Sequence, residues 1–303
     1  MTSAAAIAWI ESPEPSGRWG APGDLSVPLN DRALMLADGL FETVLMREGQ
    51  PRLLAAHLAR WHQGAALLGM DSPPAARDLE PLIREAVERS GIREGALRLN
   101  WSRGSAAGAA RGIAIPGPCR HRFWLQLSAA TPCFAPVRVI VSPTEERSAT
   151  SLLSRCKTFA YGAAIQSRRQ AEAAGADDAL LASSAGGLCC GTTANLLVRQ
   201  EGRWLTPPLS SGCLPGVMRA RALELGLAYE ANLGELTEAG LFSSSGALLL
   251  NSLSCRPISH LGKSRLGWPG QEPQSAEPAS AGLIGASSEA QALWQRLLGP
   301  GPG

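Results

Sequence analysis

A lysine near the middle of the chain is the residue whose type and surroundings best suit covalent chemistry. Lys157 lies within the segment LSRCKTFAYG, residues 153–162, and the only other lysine between it and the carboxy-terminus is Lys263. An ammonium group among apolar neighbours loses solvation, which frees the neutral amine to attack a carbonyl and form a Schiff base. The alternative is an ordinary lysine whose stem packs while its charge reaches water. The rest of the chain has to decide between the two.

Four further segments supply that context. In chain order they are DRALMLADGLFET at 31–43, HLAR at 57–60, AGGLCCGTTANLLV at 185–198 and SGCLPGVMR at 211–219. Together with Lys157 they resemble the fold-type IV pyridoxal-phosphate enzymes, a family of branched-chain aminotransferases, D-amino acid aminotransferases and 4-amino-4-deoxychorismate lyases. The resemblance runs in the right order from about residue 29 to residue 257. It implies a two-domain fold of the α+β and α/β classes, with pyridoxal 5'-phosphate bound covalently by Lys157.

The resemblance also implies which side chains hold the cofactor. Arg60 matches the phosphate-binding arginine of the family, and a guanidinium suits a phosphate because its planar fork donates two parallel hydrogen bonds. An isolated arginine would more often form a surface ion pair. His57 lies one turn away on the same helical face, and we expect it to orient the helix rather than react. The other implied cofactor-binding residues are Tyr161, Cys190, Thr193, Asn195, Leu214, Val217, Met218 and Ser252.

A helix that begins near residue 216 gives part of this set a physical basis. Unpaired amides and the positive end of the helix dipole face whatever lies before the first turn. By resemblance, the amides of Val217 and Met218 hold the phosphate, Leu214 packs on the pyridine face, and the hydroxyl of Ser252 completes the phosphate site. Tyr161 either hydrogen-bonds the ring hydroxyl or simply packs, and both alternatives stay open.

A basic, glycine-rich stretch resembles the lyase branch of the family. It contains SRGS at 102–105 and Arg-Gly at 111–112, separated by the spacer AAGAA. The lyase substrate carries two carboxylates, so the resemblance implies that Arg103 and Arg111 bind substrate. A solvated turn is the alternative.

Cys190 departs from the family pattern. Counting back from Asn195, the family has a glutamate here, whose carboxylate stabilises the protonated pyridine nitrogen and makes the ring an electron sink. A thiol is a weak donor and offers no reliable negative charge. Transamination needs the charge on the substrate carbon to persist until a proton returns to the cofactor, whereas elimination discharges it by expelling a leaving group. The departure therefore favours a lyase.

Length, net charge and cysteine content limit the number of domains and the kinds of partner that this chain could have. A length of 303 residues permits one large domain or two of ordinary size. A formal net charge of +2 gives no reason to expect nucleic acid or an anionic membrane as partner. The 7 cysteines are odd in number and lack paired metal-ligand spacing, so we expect reduced, mostly buried thiols in the cytoplasm and no metal. No signal peptide and no transmembrane helix are expected.

Apolar periodicity predicts two domains and a tail. We expect a small α+β domain at 1–128, an interdomain loop at 129–136 and a larger cofactor-binding domain at 137–263. The segment 264–285 has too few large apolar residues to offset the entropy of ordering and is expected to be mobile, before a last helix and tail at 286–303. In the small domain the pattern predicts strands at 40–47, 96–102 and 122–127, and helices at 54–68 and 76–90. In the larger domain it predicts strands at 137–141, 179–181, 195–200, 204–205 and 246–253, and helices from about 160 to 174, 216 to 225 and 286 to 298.

These inferences predict a homodimeric lyase that converts 4-amino-4-deoxychorismate to 4-aminobenzoate and pyruvate, a step in folate biosynthesis. Lys157 would bind the cofactor and then act as base on the carbon that bears the amino group. Two alternatives stay open: an aminotransferase for branched-chain or D-amino acids, and a cofactor-binding protein without turnover. Release of pyruvate without a keto-acid acceptor would separate the first from both others.

Overall fold

Two sheets organise the chain, and each belongs to its own unit. A computed structural model describes residues 5–11, 17–106, 112–115, 117–268 and 280–299. The first unit comprises Met1–Thr131 together with Cys156–Ala160, and the second comprises Pro132–Arg155 together with Tyr161–Gly303. The segment that contains the lysine therefore belongs to the first unit, although the sequence places it in the larger domain.

The first unit is built on an antiparallel sheet with the strand order β2-β1-β6-β5-β3-β4. Its elements are β1 (Ile7–Ile10), β2 (Arg18–Gly20), α1 (Arg32–Leu36), β3 (Gly39–Arg47), β4 (Gln50–Pro51), α2 (Leu54–Leu67), α3 (Ala76–Ser90), β5 (Gly95–Ala106) and β6 (Cys119–Ala129).

One face of this sheet carries the core of the first unit. Leu40, Val44 and Met46 of β3 point to that face, because alternate side chains of a strand point the same way. Trp61 of α2 and Leu79 of α3 pack in the same cluster. Burying one such side chain stabilises the fold by about 1.5–3 kcal/mol, so the sheet and its two helices are held together mainly by this face.

The second unit is built on a larger, mixed sheet with the order β12-β11-β10-β13-β14-β7-β8-β9, in which β9 also pairs with β10. The strands β10, β13, β14, β7, β8 and β9 therefore form a closed ring of pairings. The elements are β7 (Val137–Arg147), a 3-10 turn (Leu152–Arg155), α4 (Gly162–Ala173), β8 (Asp178–Ser183), β9 (Leu188–Gly191), β10 (Asn195–Gln200), β11 (Arg203–Thr206), a second 3-10 turn (Leu209–Ser211), α5 (Val217–Glu224), β12 (Tyr229–Glu230), α6 (Glu238–Phe242), β13 (Ala247–Asn251), β14 (Ser254–Leu261), β15 (Ser264–Arg265) and α7 (Ser280–Leu298).

The structure departs from the predicted elements at the ends of the chain. The strands β1 and β2 lie in the amino-terminal region, where the sequence pattern predicted no strand. The last helix, α7, begins at Ser280 rather than at 286. Part of the segment expected to be mobile, residues 269–279, lies outside the described residues.

No helix in the described ranges is both long and apolar enough to cross a membrane.

Candidate active site

Lys157 is held by an extended segment that pairs with the start of β3. The amide of Phe41 donates to the carbonyl of Lys157 at 2.9 Å, and the amide of Phe159 donates to the carbonyl of Gly39 at 3.1 Å. Gly39 permits this pairing, because a Cβ built there would lie 2.3 Å from the ring of Phe159. The backbone of the lysine is thereby fixed, and its side chain alone is left to move.

An aromatic ring lies beside the lysine side chain. Its Nζ lies 4.4 Å from the centroid of the Phe41 ring, and that ring stacks on Phe159 with centroids 6.0 Å apart. The side chain is half-buried. A ring face attracts an ammonium group through its quadrupole, so the lysine lies among apolar groups, as its sequence context predicts.

A buried carboxylate on the core face of β3 joins two residues of α2. Glu42 accepts hydrogen bonds from Arg60 Nε at 2.8 Å and from Arg60 Nη2 at 2.5 Å, which together make a two-pronged ion pair. His57 Nδ1 lies 2.8 Å from Oε2 of the same carboxylate, the oxygen that also accepts from Arg60 Nη2. The Glu42 side chain is 0% exposed and that of Arg60 is 11% exposed. A strand and a helix thus place an acid, an imidazole and a guanidinium in one buried network.

The charge states in this network follow from its geometry. Burial by itself would raise the pKa of Glu42, but the Arg60 charge and the hydrogen bonds from His57 and Arg60 outweigh it and lower that pKa to about 2. Burial lowers the pKa of His57, against the opposing effect of Glu42. The network therefore holds an ionised glutamate, a charged arginine and a neutral histidine at neutral pH. His57 donates its Nδ1 proton to the carboxylate.

The sequence predicts binding roles for three arginines of the first unit, Arg60, Arg103 and Arg111. Arg60 is oriented by Glu42, and its role toward the phosphate stays a prediction. Arg103 is 4% exposed and donates to Asp38 Oδ2 at 2.8 Å, to the carbonyl of Gly69 at 2.9 Å and to that of Leu68 at 2.8 Å. The guanidinium thus ties a strand to the end of α2, and its contact with substrate stays a prediction. Arg111 lies outside the described residues.

In the second unit, Asn195 holds the loop that leads into α5. Its Nδ2 donates to the carbonyl of Leu214 at 2.9 Å. A Cβ on Gly216 would lie 1.9 Å from Asn195 Oδ1, so the side chain of Asn195 occupies the space that any larger residue would need. Gly216 is the N-cap of α5, and no side chain caps that helix. The amides of Val217 and Met218 in the first turn consequently point out of the helix toward whatever binds there.

These features fit a phosphate-bearing cofactor. An uncapped helix start offers amide donors and a favourable dipole to an anion. The close approach of Asn195 to Gly216 fixes the loop against the helix without a side chain that would cover the amides. The chemistry of the donors matches what the resemblance implies for Val217 and Met218.

A turn between β13 and β14 contains Ser252, and Asn251 organises it. Asn251 Oδ1 accepts from the amide of Leu253 at 2.8 Å and from Ser254 Oγ at 3.0 Å, while its Nδ2 donates to the carbonyl of Thr193 at 3.4 Å. The structure therefore brings the turns that contain Thr193 and Ser252 together. Tyr161 lies at the N-cap of α4 and is partly buried.

Cys190 lies on β9 within a buried cluster of thiols. It pairs with Asn195 on β10 and with Leu181 on β8, and it packs with Leu181, Cys189 and Cys213. Hydrogen bonding from Cys190 raises the pKa of Cys189, and hydrogen bonding from Cys189 raises that of Cys213. These two neighbouring thiols therefore stay protonated at neutral pH.

Sequence analysis missed two residues that the structure brings to the site. Glu42 belongs to a sequence motif that matches the family, but the sequence analysis assigned no role to it. It lies on the same face of the strand as Leu40 and Val44, which already indicated a buried acid that needs hydrogen-bond partners. Arg98 on β5 lies over the Phe41 ring with its Cζ 3.6 Å from the centroid. No signal in one sequence singled it out, because the contact depends on the register between β3 and β5.

Comparison with known proteins agrees with this geometry. A family model described as Amino-transferase class IV matches residues 39–261. A Mycobacterium tuberculosis protein named bifunctional aminodeoxychorismate lyase / D-amino acid transaminase is 29% identical over 264 residues, covering 77% of this chain and 84% of that protein.

Two solved structures extend the comparison. The structure of 4-amino-4-deoxychorismate lyase from Pseudomonas aeruginosa is 27% identical and has a TM-score of 0.69, covering 88% of this chain and 94% of that one. A fold IV-transaminase from Curtobacterium pusillum has a TM-score of 0.76 at 24% identity, covering 98% of this chain and 100% of that one. The second likeness concerns the fold alone, and it confirms the predicted fold type.

Proposed function

Because the chain belongs to the amino-transferase class IV family, whose members depend on pyridoxal phosphate, we propose that it is a lyase. Its reaction would convert 4-amino-4-deoxychorismate to 4-aminobenzoate and pyruvate, a step toward folate. The names of its relatives include this lyase activity and amino transfer alike, so the choice between the two rests on the residues of this chain.

The observation that carries the proposal is the surroundings of Cys190. The family has a glutamate at this position, and here the side chain lies among apolar and thiol groups. Without a carboxylate, the pyridine nitrogen is held less firmly in its protonated form, and the electron sink is weakened. A reaction that discharges the electron pair at once tolerates a weak sink better than amino transfer does. Loss of the enolpyruvyl group, driven by aromatisation of the ring, is such a reaction.

The predicted site residues would have separate roles in this reaction. When bound, pyridoxal phosphate would supply an electron sink for the substrate carbon that bears the amine. We propose that Lys157 holds the cofactor covalently, and that Arg60 and the amides of Val217 and Met218 bind its phosphate. Further contacts with the cofactor would come from Tyr161, Thr193, Asn195, Leu214 and Ser252.

Lys157 Nζ would also move the proton. Nζ of Lys157 would remove the proton from the substrate carbon that bears the nitrogen. The electron pair of that C–H bond forms the last double bond of the aromatic ring. The C–O bond to the enolpyruvyl group breaks, its oxygen takes a proton, and the released enol becomes pyruvate. In this scheme the Glu42–His57–Arg60 network positions Arg60, because Glu42 accepts hydrogen bonds from both Arg60 and His57.

The test is the release of products without an acceptor. Wild-type protein supplied with 4-amino-4-deoxychorismate and no keto acid is expected to form pyruvate and 4-aminobenzoate in equal amounts, and Lys157→Ala is expected to form neither. Pyruvate is followed by a coupled dehydrogenase and 4-aminobenzoate by its fluorescence. Absence of both products from cofactor-loaded wild type would rule the lyase out.

Amino transfer is the second candidate, because the Mycobacterium tuberculosis relative is named for both activities. In that case the loaded protein would convert a D-amino acid or a branched-chain amino acid only when a keto acid is added. A protein that binds the cofactor but turns over neither kind of substrate would leave the third alternative, binding without turnover.

We also propose that the chain forms a homodimer, as its family resemblance implies. Large apolar side chains of the first unit support a partner surface, since Leu29 is 86% exposed, Leu34 61% and Met35 54%. Sedimentation analysis at micromolar concentration is expected to give a dimer, and a monomer at every concentration would contradict this.

A further inference from the structure

The last helix of the chain contacts the turn that contains Ser252. We propose that Trp294 of α7 is a positioning residue, which holds this turn in the shape that binds the cofactor phosphate. The inference rests on the proposed function, because it takes Ser252 as a phosphate ligand. The family match ends at residue 261 and α7 begins at Ser280, so the sequence motifs assign no role to this helix.

One hydrogen bond joins the helix to the turn. Trp294 Nε1 donates to the carbonyl of Asn251 at 3.1 Å. Asn251 is the last residue of β13 and pairs with Ser254, the first residue of β14, so Ser252 and Leu253 form the turn between them. The indole therefore holds the backbone immediately before the turn.

The side chain of Asn251 carries this constraint further. Its Oδ1 accepts from the amide of Leu253 at 2.8 Å and from Ser254 Oγ at 3.0 Å. Its Nδ2 donates to the carbonyl of Thr193 at 3.4 Å. A short side chain cannot keep these partners if its backbone shifts. Displacement of Asn251 would therefore move both Ser252 and Thr193, the two hydroxyl residues that are predicted to bind the cofactor.

The indole itself is fixed by packing. Trp294 is 2% exposed, and its ring meets that of Phe134 edge-on, with centroids 5.3 Å apart and planes at 75°. Leu297, on the same face of α7, is 0% exposed. A buried indole N–H needs a hydrogen-bond partner, and the carbonyl of Asn251 is that partner. Burial of the ring thus determines where the carbonyl must lie.

The helix is anchored to the second sheet by a separate contact. Arg199 of β10 donates from Nη1 to Glu289 Oε1 of α7 at 2.5 Å and from Nη2 to the carbonyl of Ser245 at 2.8 Å. α7 also packs against β14 and against α5, whose first amides are the other proposed phosphate donors of this unit. One anchored helix therefore contacts both elements that would hold the phosphate.

The test separates affinity for the phosphate from affinity for the rest of the cofactor. Pyridoxal phosphate and pyridoxal, which lacks the phosphate, are titrated into full-length wild type and Trp294→Phe freed of cofactor, and dissociation constants are read from absorbance. In Trp294→Phe the constant for pyridoxal phosphate is expected to rise by about 3- to 10-fold, the range for one lost hydrogen bond. The constant for pyridoxal should not change, because pyridoxal makes no contact through a phosphate.

Trp268→Phe is the matched control. Trp268 is 4% exposed, and its Nε1 donates to the carbonyl of Ile258 on β14 at 3.0 Å. The variant therefore loses a bond of the same kind away from the turn. Both dissociation constants should keep their wild-type values in it, although its stability should fall about as much as that of Trp294→Phe. Ser252→Ala is the reference, and it should raise the constant for pyridoxal phosphate alone.

Each remaining outcome has one meaning. If Trp294→Phe keeps the wild-type constant for pyridoxal phosphate, or raises both constants alike, the positioning role is overturned. If Ser252→Ala binds pyridoxal phosphate like wild type, the turn does not bind the phosphate and the inference fails with it. The lyase is judged separately, by pyruvate release from wild type. Should Trp294→Phe not fold, benzothienylalanine at position 294 decides by the same two constants, because it keeps the shape of the indole and replaces only the N–H by sulfur.

Discussion

Glu42 shows how one buried residue ties stability to pH. Its pKa is lowered from 4.5 to about 2 in the folded chain. A depressed carboxylate pKa stabilises the folded state at pH values above the unfolded value, and that contribution is lost as the pH falls from about 4.5 toward 2. The shift corresponds to about 3 kcal/mol. The ion pair with Arg60 thus contributes to the fold as well as to the site.

We expect Glu42→Gln to flatten the acid limb of the stability profile. In wild type, the free energy of unfolding should fall by about 3 kcal/mol between pH 4.5 and pH 2 because of this one group. Urea unfolding at a series of pH values measures the slope. Glu80→Gln, at an exposed position of α3, should leave the slope unchanged. Equal slopes in wild type and Glu42→Gln would show that the network does not set it.

Arg60→Ala is expected to lower both stability and cofactor affinity. Stability should fall by about 3–5 kcal/mol, since Glu42 is left buried with its main partner removed, and the cofactor dissociation constant should rise by about 10-fold or more. Equilibrium dialysis and urea unfolding measure the two effects. In the double variant Arg60→Ala/Glu42→Gln, stability should recover and affinity should not. Recovery of affinity as well would mean that Arg60 acts only through the fold.

The thiol at Cys190 leads to a prediction about partition between two reactions. Restoring a carboxylate with Cys190→Glu should strengthen the electron sink and raise amino transfer relative to elimination, while Cys190→Ser should change little. The measurement is the ratio of pyridoxamine phosphate to pyruvate formed from 4-amino-4-deoxychorismate. If wild type, Cys190→Glu and Cys190→Ser gave the same product ratio, Cys190 would be only a packing residue. The preference for a lyase would then lose its main support.

At the scale of elements, periodic segments could be predicted and short ones could not. The strand predicted at 40–47 and the helix predicted at 76–90 agree with β3 and α3, because an apolar face recurs along each of them. β1 and β2 were not predicted, because strands of four and three residues are too short to show a clear alternation of apolar and polar residues. They form because β1 pairs with β6, far along the chain. The pairing between β3 and β5 is also non-local, and its register decides which face of β5 holds Arg98 and which holds Leu99.

The start of α5 depends on Gly216, and its replacement should weaken cofactor binding. In Gly216→Ala the added Cβ would meet Asn195 Oδ1 at 1.9 Å, so either the loop or the asparagine must shift away from the helix amides. We expect the cofactor dissociation constant to rise by about 10-fold or more, given two or more displaced charge-assisted bonds. Gly285→Ala is the control, because that helical position has open space around it. An unchanged cofactor dissociation constant in Gly216→Ala would show that this loop does not contribute to phosphate binding.

At the scale of the whole molecule, sequence motifs located the residues of both units but not the path of the chain between them. The motif around Lys157 gave no sign that Cys156–Ala160 belongs with the first unit while its flanking residues belong with the second. That assignment depends on the bridge between Leu40 and Thr158. A hydrophobic pattern describes one face of one segment, and it does not identify which distant strand will pair with it.

The intact, cofactor-loaded protein is expected to be yellow, and the colour should depend on one lysine. Borohydride reduction followed by peptide mapping should place the cofactor on Lys157, and Lys157→Ala should show no covalent label. The chain has one other lysine, Lys263, so the map has a built-in comparison. Label on Lys263, or on neither lysine, would contradict the assignment.

The late position of Cys156–Ala160 in the sequence has a consequence for biosynthesis. A nascent chain that stops before this segment contains all six strands of the first sheet but not a single lysine, since the two lysines of the protein are Lys157 and Lys263. Contacts between distant residues form slowly because a long loop must close first. If Lys157 holds the cofactor as we propose, its capture has to wait until the ribosome has made the lysine segment and that loop has closed. Abortive amino-terminal fragments would then form no lysine adduct with the vitamin.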